Sequence, residues 1–287
     1  MSPNEYLKLH PTLKNLEAFL VATSYNRSGF NLEPYGLNIE PQNLIDPTHS
    51  TSERFCDLLL KLDSITFGPE GMPMDKWVFY DICYMPGAVF GFGIRSKQAP
   101  QELLELFKVK PSEDILIPLS MYGTIPTTQL GAWMGHNLSS IGSKLKFRSF
   151  RGLGTLSKAL GLKVVNAKEF YGATQWNSIA LNVHVKFGPL KLYTAYTPAH
   201  SDSHTLTYGF TCTDQALLAA MGHPDHDFER PIAETWIRAQ DEASMIALQD
   251  RLEAGESFCI PSGPKPHTED KHQVPIASLA SKLFNHL

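Results

Sequence analysis

Cysteine is scarce in this chain and widely scattered. Cys56, Cys83, Cys212 and Cys259 form no CxxC pair, which gives no sign of a thiolate metal site or a disulfide framework. They are expected to be free thiols, buried or partly buried, in a reducing compartment. Cys83 would act as a nucleophile only beside a cation or a helix N-terminus. Long apolar runs are also missing. No stretch of about 18 apolar residues exists, so no transmembrane helix is expected. The opening segment MSPNEYLKLHPTLKN is polar and lacks the apolar stretch of a secretory signal. An excess of one charge is absent too, with 25 Lys and Arg against 29 Asp and Glu and a net charge of -4. A basic face for nucleic acid is therefore not expected. These absences point to a cytoplasmic globular protein with no nucleic-acid and no membrane partner.

What is present is a chain of 287 residues that is 43% hydrophobic. That length allows one large domain or two small ones, and a core that needs no covalent or metal staple. Twenty Gly and twenty Pro imply many turns. His223, His226 and Glu229 recur at three-residue steps and would share a helix face as metal ligands. Gly222 and Pro224 make a polar loop the preferred reading there, and no metal is expected.

Residues 1–47, rich in Asn, Pro, Gly and Ser, are expected to be an irregular N-terminal arm with one short helix near 11–22. Ser50 and Glu53 have capping-box spacing ahead of a helix over 51–63, whose Phe55, Leu58, Leu59 and Leu62 share a face. Trp77 to Tyr84 and Ala88 to Ile94 predict a hairpin of two strands around Met85-Pro-Gly87. Pro100 opens a short helix over 101–107. Further strands are expected at 114–120, with Pro118 at an edge or bulge, and at 131–140. After a basic loop come a helix from Leu156 to Val165, a strand over 170–176, a helix over 178–186 capped by Asn177, and strands at 190–196 and 204–211. A long amphipathic helix over 229–254, a polar loop and a short helix over 274–285 complete the prediction. The division read from this pattern is 1–47, 48–211 and 212–287.

The segment that carries chemistry is Gly142 to Leu156. Glycines let backbone approach a ligand closely, and a following helix offers free amides and a positive dipole end. Lys144, Lys146, Arg148 and Arg151 add charge on the approach. Such a junction makes either a phosphate or pyrophosphate site or a plain structural turn.

Here the chain resembles the GNAT superfamily of N-acetyltransferases. The family's pyrophosphate signature, Arg/Gln-x-x-Gly-x-Gly/Ala, is matched at Arg151 and Gly154, with Leu156 in place of the last small residue. A second family pattern, Asn-x-x-Ala-x-x-Leu-Tyr-x-Lys-x-Gly, is matched at Asn177, Ala180, Lys186 and Gly188. Val183 is a conservative change, and His184 stands at the Tyr that protonates the leaving thiolate. The resemblance covers about 80 residues. It implies an α+β fold: a mixed, mostly antiparallel twisted sheet flanked by helices. To that body are added the N-terminal arm and a helical C-terminal extension over 212–287.

The resemblance also implies an acyltransferase that moves an acyl group from an acyl-CoA or acyl-carrier-protein thioester to a small-molecule amine. Leu138, Ser139 and Ser140 would meet the pantetheine arm. Lys146, Arg151, Gly152, Leu153, Gly154, Thr155 and Leu156 would hold the pyrophosphate, with Asn177 nearby. His136 would be a general base, at an unperturbed pKa near 6.5, or a strand histidine beside a polar neighbour. His184 would be the general acid or an ordinary helix residue. Asp81, on an apolar strand, is a second candidate base. Tyr80, Tyr84 and Tyr122 would line an acceptor pocket or fill the core. The added segments would cover the acceptor side or form a homodimer interface. Two other readings stay open: a double hot-dog thioester enzyme, and a catalytically degenerate acyl-CoA sensor or interaction protein.

Overall fold

The computed structural model describes residues 1–30, 32, 39–84, 86–266 and 272–279. The chain divides into two compact units, Met1–Ala167 and Lys168–Leu287. That boundary falls inside the 48–211 span read as one body. Both units mix helices with mostly antiparallel sheet. Among the described residues no helix is long and apolar enough to cross a membrane.

The first unit runs α1 (Pro3–Leu9), β1 (Glu17–Val21), α2 (Ser24–Arg27), β2 (Leu44–Ile45), α3 (Glu53–Phe67) and α4 (Lys76–Tyr84). It continues β3 (Ala88–Arg95), α5 (Gln101–Phe107), β4 (Leu116–Pro126), β5 (Ala132–Ser140) and α6 (Leu153–Val164). Its strands lie in the order β5-β4-β3-β1-β2. Every neighbouring pair is antiparallel except the parallel pair β1 and β2. Residues 1–47 are therefore no irregular arm. They supply β1, an interior strand, whose Phe19, Leu20 and Val21 are fully buried.

Helices cover both faces of this sheet. Phe55, Leu58, Leu59 and Leu62 of α3 are buried, the i, i+3, i+4, i+7 pattern of an amphipathic helix. Each such side chain contributes about 1.5–3 kcal/mol when taken from water. The expected Ser50–Glu53 capping box does not form: the residues before α3 make a single 3-10 turn without a side-chain cap. α6 lies against β3, β4 and β5 and is buried along nearly its whole length. It comes close enough that a β-carbon on Gly161 would stand 2.6 Å from the Tyr122 ring.

Two bulges interrupt the ladders. Phe92 pairs with Ser120 while Gly93 pairs with Pro118, so Leu119 is extra. The bulge lets a proline sit in a central strand. In the next ladder Gly123 pairs with Asn137 and Thr124 with Gly135, which leaves His136 without a partner on β4.

The segment Trp77–Tyr84 forms a helix where a strand was expected. Phe79, Ile82 and Cys83 are its buried residues, a spacing of three and one that fits a helical face and not strand alternation. The expected hairpin is thus a helix followed by β3; Met85 lies outside the described residues.

The second unit runs β6 (Glu169–Gln175), α7 (Leu181–His184), β7 (Leu190–Thr194), β8 (Thr205–Thr211), α8 (Asp214–Met221) and β9 (Thr235–Arg238). Then follow α9 (Glu242–Glu253), β10 (Phe258–Ile260), β11 (Lys265–Pro266) and β12 (His272–Ser278). Its strands order as β11-β12-β10-β7-β8-β6, with β9 also on β12. The paired strands of this unit run antiparallel. Trp176 is fully buried, and its indole N–H donates to the Ala195 carbonyl at 2.8 Å.

The C-terminal extension is mixed where a helical one was expected. The long helix predicted over 229–254 is a strand, β9, then a helix starting at Glu242, where Asp241 accepts the Ser244 N–H at 3.1 Å as N-cap. Trp236 and Ile237 pair across to β12 instead of continuing a helical stripe. Residues 274–278, expected in a terminal helix over 274–285, are strand; residues 280–285 of that predicted helix lie outside the described residues.

Candidate functional site

The first unit brings the predicted loop region together around β5. Alternation along the strand sends successive side chains to opposite faces. Asn137 and Ser139 reach Asp63 of α3. Leu138 and Ser140 face α6, where a β-carbon on Gly154 would lie 3.4 Å from the Ser140 Cβ and 3.7 Å from Leu138 Cδ1. Ser139 is fully buried, while Leu138 and Ser140 are half-buried.

From Ser140 the chain turns through two short 3-10 segments, Ile141–Ser143 and Leu145–Phe150. Glycine is required at both ends of this turn. A β-carbon on Gly142 would fall 2.3 Å from the Phe150 carbonyl oxygen. Gly152, the residue before α6, has φ of 91°, in the left-handed region that L side chains avoid. Lys146, Arg148 and Arg151 are exposed, and among the described residues none is bridged to a carboxylate. Lys144 is half-buried and donates to the Thr66 carbonyl at 3.5 Å.

α6 begins without a side-chain cap. Its first backbone hydrogen bond runs from Leu156 N–H to Gly152 at 3.1 Å, so the amides of Leu153, Gly154 and Thr155 precede the helical ladder. Leu153, Gly154, Thr155 and Leu156 are all buried. Leu156 is a core residue at 2% exposure, a role its size explains.

His136 is exposed at the bulge of β5. The protein around its ring pushes its pKa below the ordinary value by desolvation, and the Asp63 charge pulls in the other direction. Thr124 stabilises the irregular ladder by donating its hydroxyl to the Met134 carbonyl at 2.9 Å.

Asp63 is a residue the sequence reading missed. It is fully buried. One oxygen accepts from Asn137 Nδ2 at 2.8 Å and Ser139 Oγ at 3.3 Å, and the other from the Met74 N–H at 2.5 Å. The available signal was an acidic residue next to Leu62 on an otherwise apolar helix face.

Asp81 does not fit its expected place as a buried strand carboxylate, because it is exposed on α4. Tyr80 and Tyr84 are also exposed, their rings stacked at 5.4 Å, whereas Tyr122 is core. Asn177 and His184 belong to the second unit. Asn177 is exposed and caps no helix; Ala180 precedes α7, and its N–H donates to Ser178 Oγ at 3.2 Å. His184 is buried, its ring 5.2 Å from Tyr208 and 6.0 Å from Phe170.

A separate cleft of about 610 Å³ opens beside β2, lined in part by Arg27, His49, Arg95 and Asp114. Its buried polar side chains are already satisfied. Asn43 bonds Glu17, Ala18 and Arg95, and Asp46 accepts from Ser24 and Thr48.

No family model matches the sequence, and no curated protein matches it. Among solved structures it is similar to one from Lactobacillus plantarum described as a "putative N-acetyltransferase". The TM-score is 0.37 and the identity 9%, over 69% of this chain and 99% of that one. A likeness at that level fixes neither mechanism nor substrate.

Proposed function

We propose that the chain is an acyltransferase that takes an acyl group from a CoA or carrier-protein thioester and passes it to an amine. One observation carries this reading: the junction from β5 to α6. There a glycine-specified turn presents Lys146, Arg148 and Arg151, exposed and without carboxylate partners among the described residues, beside a helix start that has no side-chain cap. Free amides, a helix dipole and unneutralised cations together favour a pyrophosphate.

In the proposed reaction the amine nitrogen bonds to the acyl carbon and the carbon–sulfur bond breaks. One proton leaves the amine and one is gained by the sulfur. His136 is the base candidate, because its lowered pKa keeps the ring neutral and able to accept a proton near pH 7. Such help is worth roughly 10²–10⁴-fold in rate.

The test is a thermal-unfolding comparison with CoA, acetyl-CoA and pantetheine, followed by an acyl-transfer assay over a panel of amines. A ligand that binds only the folded state at a hundred times its Kd adds about 2.7 kcal/mol. CoA and acetyl-CoA are expected to raise the Tm more than pantetheine, which lacks the pyrophosphate. No shift with CoA, a carrier-protein thioester or pantetheine would sink the reading. Binding without turnover on any amine would favour an acyl-CoA sensor.

A further inference from the structure

A carboxylate with no exposed surface is expensive unless it is paired or fully hydrogen-bonded. Asp63 meets that demand with two N–H donors from separate segments, Met74 in the connection after α3 and Asn137 on β5, and with the Ser139 hydroxyl, whose single proton is shared between Asp63 at 3.3 Å and Asn137 Oδ1 at 3.0 Å. Among the described residues no Lys or Arg forms a salt bridge with it. The residues it grips on β5 are those immediately following the bulge, and the bulged residue is His136.

From this juxtaposition we propose that Asp63 is the positioning residue for His136: it clamps Asn137 and Ser139 and thereby fixes the bulge that takes His136 out of the β4 ladder. This rests on the acyltransferase reading for the use to which His136 is put, but not for the placement itself.

The geometry supports it in three ways. First, a one-residue slip in this ladder would exchange the faces of Asn137 and Leu138. The Asn137–Asp63 bond at 2.8 Å holds the register at the one point where the ladder is irregular. Second, α4 packs beside the same spot, since a β-carbon on Gly123 would lie 3.7 Å from Ile82 and 3.8 Å from Asn137.

Third, the charged groups near β5 are divided between its faces. α3 brings Asp63, and Lys144 reaches the end of that helix. α6 brings Lys158 and β4 brings Tyr122, whose ring meets Gly161 of α6 on the other face. Asp63 is the charge that acts on the His136 ring, opposing its desolvation. An imidazole that takes up a proton is thus supported by a carboxylate that the fold has already immobilised.

The test follows the His136 ring by NMR in the full chain, with His136→Gln identifying its resonance. Far-UV CD and thermal melts report folding. In Asp63→Asn, the His136 proton affinity is expected to fall about threefold or more, because an opposite charge has been removed. Asn137→Ala keeps the Asp63 side chain and its bond from the Met74 N–H, and is expected to broaden or shift the His136 signal by loosening the bulge. An unmoved titration in a folded Asp63→Asn protein would overturn the proposal. If Asp63→Asn does not fold, an unchanged His136 spectrum in Asn137→Ala would overturn it instead. CoA binding is measured on the same samples. A moved His136 in a protein that binds no CoA supports the positioning role while removing the acyltransferase reading. Bound CoA with an unmoved His136 does the reverse.

Discussion

Gly154 lies against Ser140, and a β-carbon on the glycine would stand 3.4 Å from the serine Cβ. The start of α6 is therefore in contact with the end of β5, with space for a methyl group at the limit and for nothing larger. Gly154→Ala is expected to fold and keep CoA binding within a few-fold. Gly154→Trp is expected to lose that binding, as measured by calorimetry on protein that is folded by CD. Retained affinity in the Trp variant would mean that the ligand lies elsewhere.

The turn itself depends on Gly142. Its missing β-carbon would fall 2.3 Å from the Phe150 carbonyl oxygen, a backbone atom that cannot yield cheaply. Gly142→Ala is expected to cost about 1–3 kcal/mol, seen as a lower denaturant midpoint with unchanged slope. Gly255 differs because it has open space around the same position and a φ of 92°. There Ala should be penalised by backbone strain alone, roughly 1 kcal/mol.

How far the sequence reveals this arrangement can be judged from particular elements. The strand at 88–94 and the strand at 131–140 are found within a residue or so, at Ala88–Arg95 and Ala132–Ser140. The first is rich in strong β formers, Val89, Phe90, Phe92 and Ile94, and the second is bounded by Gly131 and the glycine turn at Gly142. Trp77–Tyr84 misleads because its aromatic and β-branched composition outweighs its spacing of buried residues. The stretch 229–254 misleads because apolar residues at nearly helical intervals belong to two elements, β9 and α9. The basic glycine turn is legible, since glycine requirements and charge are local. The bulge at His136 and the clamp from Asp63 are not, because each depends on the pairing of segments distant in sequence.

Across the β1–β3 pair of the first sheet, Arg95 hydrogen-bonds both oxygens of Glu17 at 2.7–3.0 Å. These bonds hold the Glu17 pKa below the ordinary carboxylate range. A carboxylate so depressed contributes stability that is complete above its unfolded pKa of about 4.3. That contribution is lost as pH falls through the folded value. Arg95→Ala should therefore be less stable than the parent by about 1–2 kcal/mol near neutrality, allowing for partial exposure. The gap should narrow in melts taken below about pH 4.

Burial raises the thiol pKa of Cys56 to about 11 and of Cys259 to about 12, and that of Cys83 also rises. Cys212 is only half-buried. Alkylation of the folded protein at pH 8 should modify Cys212 first and leave the other three until denaturant is added. Peptide mapping by mass spectrometry checks the order.

The turn between β5 and α6 is the proposed seat of the pyrophosphate of a CoA-type ligand. Calorimetric titration of CoA into the parent chain and into a Lys146→Ala, Arg148→Ala, Arg151→Ala triple variant tests it most directly. The expected result is saturable binding by the parent and a loss of affinity of about tenfold or more in the variant, or about 1.4 kcal/mol, that diminishes as salt is raised. Absence of binding by the parent, or equal affinity in the two proteins, would contradict it.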